Sequence, residues 1–294
     1  MDKKIIILTG PTASGKTNAS IALAKKYNTE IIFADSIIIY KDLDIVSAKP
    51  TIKEQDGIKH HLIDILEPTQ NFSAGDFVLL SKKIIEDIFK QDKNVIICGG
   101  TWFYIKSLLD EKNLPECPIN PELRQELSLL NNNTLWEKLN KLDSKRASQI
   151  HPNNKDKVIR SIEMCLSLGC PISEYQRKEN ENYNTKWYMF DYDRETLYKR
   201  INKRVDIMLE MGLFEEWKKN KEKYCYCDIL KNTIGYKEFF DLEDGLYDNF
   251  DIAVEKIKQH TRNFAKRQLT YFKSNQKINL IKNYDEIIKD LEND

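Results

Sequence analysis

Apolar positions fall into two spacings along this chain, and their order predicts the fold. Residues 3–10, KKIIILTG, form a short unbroken apolar run that stops at a glycine, as a strand buried on both faces does. From Lys16 to Tyr27, alanine, leucine and isoleucine recur at helical spacing. TEIIFADS (29–36) predicts a second strand and KNVIICGG (93–100) a third. Between these, residues 73–90 predict a helix capped by Ser73, with Phe77, Leu80, Ile84 and Ile88 on one face. Strands alternating with helices imply a parallel sheet covered by helices.

The pattern changes near residue 111. EKNLPECPINPE (111–122) carries three prolines and closes the first block. Residues 121–178 are polar, helical in period and strandless, with a loop predicted at Asn131-Asn132-Asn133. TKWYMFDYD (185–193) predicts a strand returning to the sheet, and residues 194–220 and 251–275 predict two long helices. In the second of these, Ile257, Phe264 and Tyr271 form an apolar seven-residue repeat. Lys258, Arg262 and Lys266, followed by Arg267 and Lys273, form a basic face. The expected division is a core of residues 1–115 and 183–294 with a helical insertion at 116–182. There are no internal repeats.

Composition narrows the class. With 294 residues, 41% hydrophobic and 31% charged, this is the make-up of a soluble globular chain with a sizeable core. No apolar run approaches a bilayer span, and the IIIL after Lys3-Lys4 is too short for a signal peptide, so a cytoplasmic protein without membrane contact is expected. Six cysteines suit reduced thiols; Cys225-x-Cys227 lacks the second pair and the histidines of a zinc site. The 46 basic and 46 acidic residues cancel, so any affinity for phosphates must come from local clusters.

The chemistry starts at GPTASGKT (10–17), a Gly-x4-Gly-Lys-Thr phosphate loop set between a strand and a helix. Gly10, Pro11, Thr12, Ala13, Ser14 and Gly15 form a loop in which the N–H groups from Thr12 to Thr17 are expected to face an anion, Lys16 adds a charge, and the Thr17 hydroxyl can hold Mg2+. Together with the strand order, the loop predicts an α/β fold of the P-loop NTPase-like kind with an all-helical insertion domain. A nucleotide hydrolase places a metal-holding carboxylate on a later strand. Here that strand ends VIICGGT, bringing Thr101 to the sheet edge, and the acid is Asp35 on the second strand. Carboxyl ends of parallel strands face the ligand crevice, so both should lie beside the loop.

Six ordered blocks carry a wider likeness: GPTASGKT, ADSIIIYKDLDIVSAKP, HHLIDILEPTQNFSAGDF, GGTWFYIKSLL, IGYKEF and FAKRQLTYFK. Together they resemble the tRNA dimethylallyltransferase (isopentenyl transferase) family from about residue 4 to residue 275. Departures are Ile37-Ile38 where many members have Met-Gln, Tyr271 where tryptophan is common, and the wording of DLDIVSAKP. The resemblance implies that the phosphates held are those of dimethylallyl diphosphate and that the acceptor is N6 of the adenosine beside the anticodon. It implies Asp35 as general base, Thr101 at the oxygen joining prenyl group to diphosphate, and Arg204 as a diphosphate ligand supported by Arg200. It also implies RNA contact by Asp35, Ser36, Ile37, Ile38, Thr101 and Arg124. The same holds for Asp156, Lys157, Val158, Ile159 and Arg160, with Lys157 and Arg160 on phosphates, and for Lys266, Arg267 and Gln268. The implied partners are a tRNA anticodon stem-loop, the five-carbon donor and Mg2+, acting on a monomer, with the insertion closing over the stem.

Three alternatives differ in what they need. An isopentenyl transferase acting on free AMP or ATP needs neither the insertion nor the basic helix. A small-molecule kinase needs the missing carboxylate. A non-catalytic RNA-binding protein does not need Lys16, Asp35 and Thr101 together.

Overall fold

The computed structural model describes residues 3–110, 115, 117–176, 179 and 182–293. The chain divides into two compact units, Met1–Leu109 with Asn182–Asp294, and Asp110–Glu181.

The first unit is built on six strands, β1 (Ile5–Thr9), β2 (Ile31–Phe33), β3 (His60–His61), β4 (Val95–Gly99), β5 (Thr185–Phe190) and β6 (Ile278–Ile281). All neighbours are parallel, in the order β3-β2-β4-β1-β5-β6. Central β1 and β4 are buried along their whole length, which is why they read as unbroken apolar runs. Ile6, Leu8, Ile31, Phe33, Ile96 and Tyr188 share one core with Leu23 and Ala24 of helix Lys16–Lys26 and Ile287 of helix Tyr284–Glu292. On helix Ala74–Phe89, Ser73 and Asp76 close a reciprocal capping box, as the sequence leads one to expect.

Strand β2 meets β4 unusually closely just beyond its end. A Cβ on Gly99 would lie 2.1 Å from the Ala34 carbonyl oxygen, so no other residue fits there. The contact lets Ala34 N–H donate to Cys98 O (2.9 Å) and Thr101 N–H donate to Ala34 O (3.1 Å).

Several elements differ from expectation. The helix predicted over 194–220 is two, Arg194–Glu210 and Leu213–Tyr224, because Gly212 takes the left-handed conformation (φ 95°) and caps the second. Helix Phe250–Lys273 buries Ala253, Ile257, Ala265, Gln268 and Phe272, whereas Phe264 and Tyr271 are 36% and 56% exposed. The seven-residue apolar repeat therefore marks a buried position only at Ile257. This helix rests on an aromatic cluster in which Phe214, Phe239 and Phe250 meet ring to ring.

The second unit contains helices Pro121–Ser128, Asn132–Leu142, Ser144–Ala147 and Lys155–Leu168, and no strand among its described residues at 121–176. Leu127, Leu135, Leu139, Ala147, Val158 and Ile162 form its own core. Each helix is capped by a side chain: Asn120, Asn131, Asp143 and Asn154. The asparagine triplet is therefore a cap and a helix start rather than a loop.

Candidate active site

Three adjacent strands, β2, β4 and β1, bring their carboxyl ends to one edge of the sheet. After β1 the loop Gly10–Gly15 turns into helix Lys16–Lys26, with Gly15 left-handed at φ 91°. No side chain caps this helix and no acidic residue occupies its first turn. Its leading N–H groups and the positive end of its dipole thus point at the loop, an arrangement suited to an anion. The Lys16 Nζ donates to Pro11 O at 2.7 Å and lies 3.5 Å from Ser14 Oγ. Among the described residues the Thr17 hydroxyl has no hydrogen-bond partner.

The loop is braced from outside. Ala13 packs with Leu197, Ile201 and Ala265. Arg200 Nε donates to Ala13 O (2.8 Å), and its guanidinium stacks on Tyr192 at 4.9 Å. Arg200 therefore holds the loop rather than facing it. The Thr12 N–H, expected in the anion-facing row, instead donates to Gln268 Oε1 at 2.9 Å. The anion-facing groups consequently begin further along the loop.

Asp35 follows β2. One carboxylate oxygen accepts the N–H groups of Ile37 (2.9 Å) and Ile38 (3.3 Å), which fixes the turn after the strand. This is a structural duty that the sequence allowed alongside a chemical one, and it leaves the second oxygen without a hydrogen bond among the described residues. Thr101, tied to Ala34, opens helix Trp102–Leu109, and its carbonyl accepts Tyr104 N–H (3.0 Å).

Charge gathers between these groups. Burial lowers the Lys16 ammonium to a pKa of about 8; the nearby Cys98 and Asp35 oppose that shift and Arg204 adds to it. Burial also lowers the Arg204 guanidinium, with Asp35 opposing. Among the described residues Arg204 has neither a hydrogen bond nor an ion pair. Two half-buried cations near one carboxylate leave an excess positive charge beside the uncapped helix.

The residues expected to meet RNA divide by exposure. Asp35, Ser36, Ile37 and Thr101 are half-buried at the sheet edge, and Lys266 and Arg267 are exposed on helix Phe250–Lys273. Arg267 stacks on Phe264 at 5.8 Å. Ile38 is buried in the main core and Gln268 is also buried. Those two side chains have no surface to offer RNA, contrary to expectation. Lys258 is not free either: it pairs with Asp206 (2.8 Å) and Glu255 (3.1 Å), and Arg262 donates to Asn202 Oδ1 (2.6 Å). The basic face proximal to Lys266 thus clamps two helices together.

In the second unit Asp156 and Lys157 are exposed, whereas Val158 and Ile159 belong to the core and cannot present side chains. Arg124 and Arg160 converge on Glu163, which is 1% exposed. Arg124 makes two bonds to it (3.0 and 2.8 Å), and Asn120 N–H adds a third at 2.6 Å. Burial alone would raise the Glu163 pKa, but these donors outweigh it and hold it down at about 2. Two guanidiniums on one carboxylate keep a net positive charge at fixed places. Sequence reasoning missed Glu163, although its spacing of three from Arg160 on one helix was a usable signal.

The whole chain is similar to known proteins. A family model described as IPP transferase matches residues 38–275. A tRNA dimethylallyltransferase of Staphylococcus epidermidis is 43% identical over 283 residues, covering 93% of this chain and 85% of the relative. One of Anoxybacillus flavithermus is 41% identical over 277 residues, covering 93% and 88%. The full-length tRNA isopentenylpyrophosphate transferase of Bacillus halodurans superposes with a TM-score of 0.72 at 36% identity, over 99% of this chain and 95% of that one. A eukaryotic dimethylallyltransferase solved while acting on tRNA superposes at 0.79 with 30% identity, over 92% and 70%. Motif order, identity over nearly the whole length and the sheet topology agree: the chain belongs to the IPP transferase family.

Proposed function

We propose that this protein transfers a dimethylallyl group from dimethylallyl diphosphate to N6 of the adenosine on the 3′ side of the anticodon in tRNA, releasing diphosphate. The observation that carries the reading is the gathering, at one sheet edge, of a phosphate loop leading into an uncapped helix, the Asp35 carboxylate, Thr101 and a half-buried Arg204, the arginine and one carboxylate oxygen having no partner among the described residues.

The adenine N6 is a weak nucleophile because its lone pair is shared with the ring. As the new C–N bond forms and the allylic C–O bond breaks, Asp35 accepts the amine proton through its unused oxygen. Negative charge grows on the leaving diphosphate. Lys16, Arg204 and the first-turn N–H groups are aimed there, so they stabilise the transition state more than the ground state. Thr101 donates towards the bridging oxygen. Mg2+ suits this site: its Thr17 hydroxyl is a hard oxygen donor, and this ion keeps few protein ligands while taking phosphate oxygens and water. When bound, it adds charge neutralisation at the leaving group. The acceptor base must leave its stack to reach Asp35, and Lys266, Arg267 and Lys157 hold RNA phosphates while it does.

The test is mass spectrometry of an anticodon stem-loop after incubation with the protein, Mg2+ and dimethylallyl diphosphate, with AMP as a parallel acceptor. Gain of one five-carbon group on the RNA adenosine is expected. Modification of AMP alone would reassign the acceptor to a free nucleotide.

A further inference from the structure

The phosphate loop and the turn that carries Thr101 come from different strands, and one side chain joins them. Gln268 lies on helix Phe250–Lys273 and is 6% exposed. Its Oε1 accepts Thr12 N–H at 2.9 Å, and its Nε2 donates to Gly100 O at 3.0 Å. The amide cannot be turned over, because that would set N–H against N–H and oxygen against oxygen. The fit is close on the other side too: a Cβ on Gly100 would lie 2.3 Å from Nε2 and 3.3 Å from Gly10 O. Lys266 and Arg267, immediately before Gln268, are exposed on the same helix.

We infer that Gln268 is a positioning residue for the donor diphosphate: it latches the phosphate loop to the Gly100 turn, fixing the loop relative to Thr101, and does not read RNA. The inference rests on the donor reading above. The helix that offers Lys266 and Arg267 outward therefore reaches the donor site inward through the next residue.

Gln268→Met keeps the side-chain length and removes both hydrogen bonds. Gly100→Ala displaces the same amide from the opposite side. Each variant is expected to raise the Kd of inorganic diphosphate with Mg2+ by about 10- to 100-fold, the range for buried hydrogen-bonding groups left unpaired. The Kd of the anticodon stem-loop should stay within about twofold. Because both substitutions break one latch, the double variant should be no worse than either single one. A lost stem-loop affinity with unchanged diphosphate binding would make Gln268 an RNA contact and overturn the inference. So would losses that add in the double variant, or loss of a cooperative melt in both single variants. If the unsubstituted protein binds no diphosphate and leaves the stem-loop unmodified, the donor reading itself fails. If it does both and the variants match it, the latch alone fails.

Discussion

The Lys16 ammonium carries a desolvation cost that the proposed reaction would use. Its pKa falls from 10.5 to about 8, so between those values the unfolded chain binds the proton and the folded chain does not. Stability therefore rises with pH across that window, and below about pH 8 the folded state bears the full cost of the buried charge. Donor binding runs the other way, since the diphosphate needs the charged form. Titration calorimetry should show donor affinity falling above about pH 8. Lys16→Met should remove that pH step and the binding, yet raise the melting temperature. At Asp35 the two duties can be separated. Asp35→Asn keeps an oxygen for the Ile37 and Ile38 N–H groups but removes the proposed base. It should lower kcat about 10²- to 10⁴-fold with an unchanged melt and donor KM. An active Asp35→Asn enzyme would show that the proton leaves by another route.

Among elements, helix Phe250–Lys273 holds two kinds of cation that look alike in sequence. Lys258 is tied to Asp206 and half hidden, whereas Lys266 and Arg267 stand exposed. Lys258→Ala should lower the melting temperature and leave the salt dependence of tRNA binding intact. Lys266→Ala with Arg267→Ala should do the reverse, flattening the slope of log K against log salt by about 1.5. The opposite pattern in filter binding would place the RNA on the Lys258 side. The four longer or central strands, the Ser73 cap and the basic run were legible because apolar period and cap chemistry are local. The break at Gly212 was also written in the sequence, as a glycine between two helical patterns, but periodicity alone reads across it. Which cations are free was not legible. Asp206 is far from Lys258 along the chain, and Glu163 gathers Arg124 only once two helices pack. Strands β3 and β6 escaped for another reason: they are short edge strands, and β6 buries only its last residue fully.

For the whole molecule, zero net charge is compatible with a nucleic-acid substrate because the cations are distributed unevenly, a few at the sheet edge and a few on exposed helix faces. The Asp110–Glu181 unit has its own apolar core and capped helices. Excised, it should retain helical circular dichroism and melt cooperatively; a gradual, featureless melt would mean that its core does not suffice. The chemistry at the sheet edge also explains what a saturation screen for lost activity should find at Gly99. That position has no side chain to offer a reaction, yet a single added methyl would wedge apart two neighbouring strands and carry Asp35, the proposed proton acceptor, away from Thr101. Selection should therefore guard this silent hydrogen as strictly as the carboxylate itself, and a screen that ranks sites by intolerance will count architecture among the chemists.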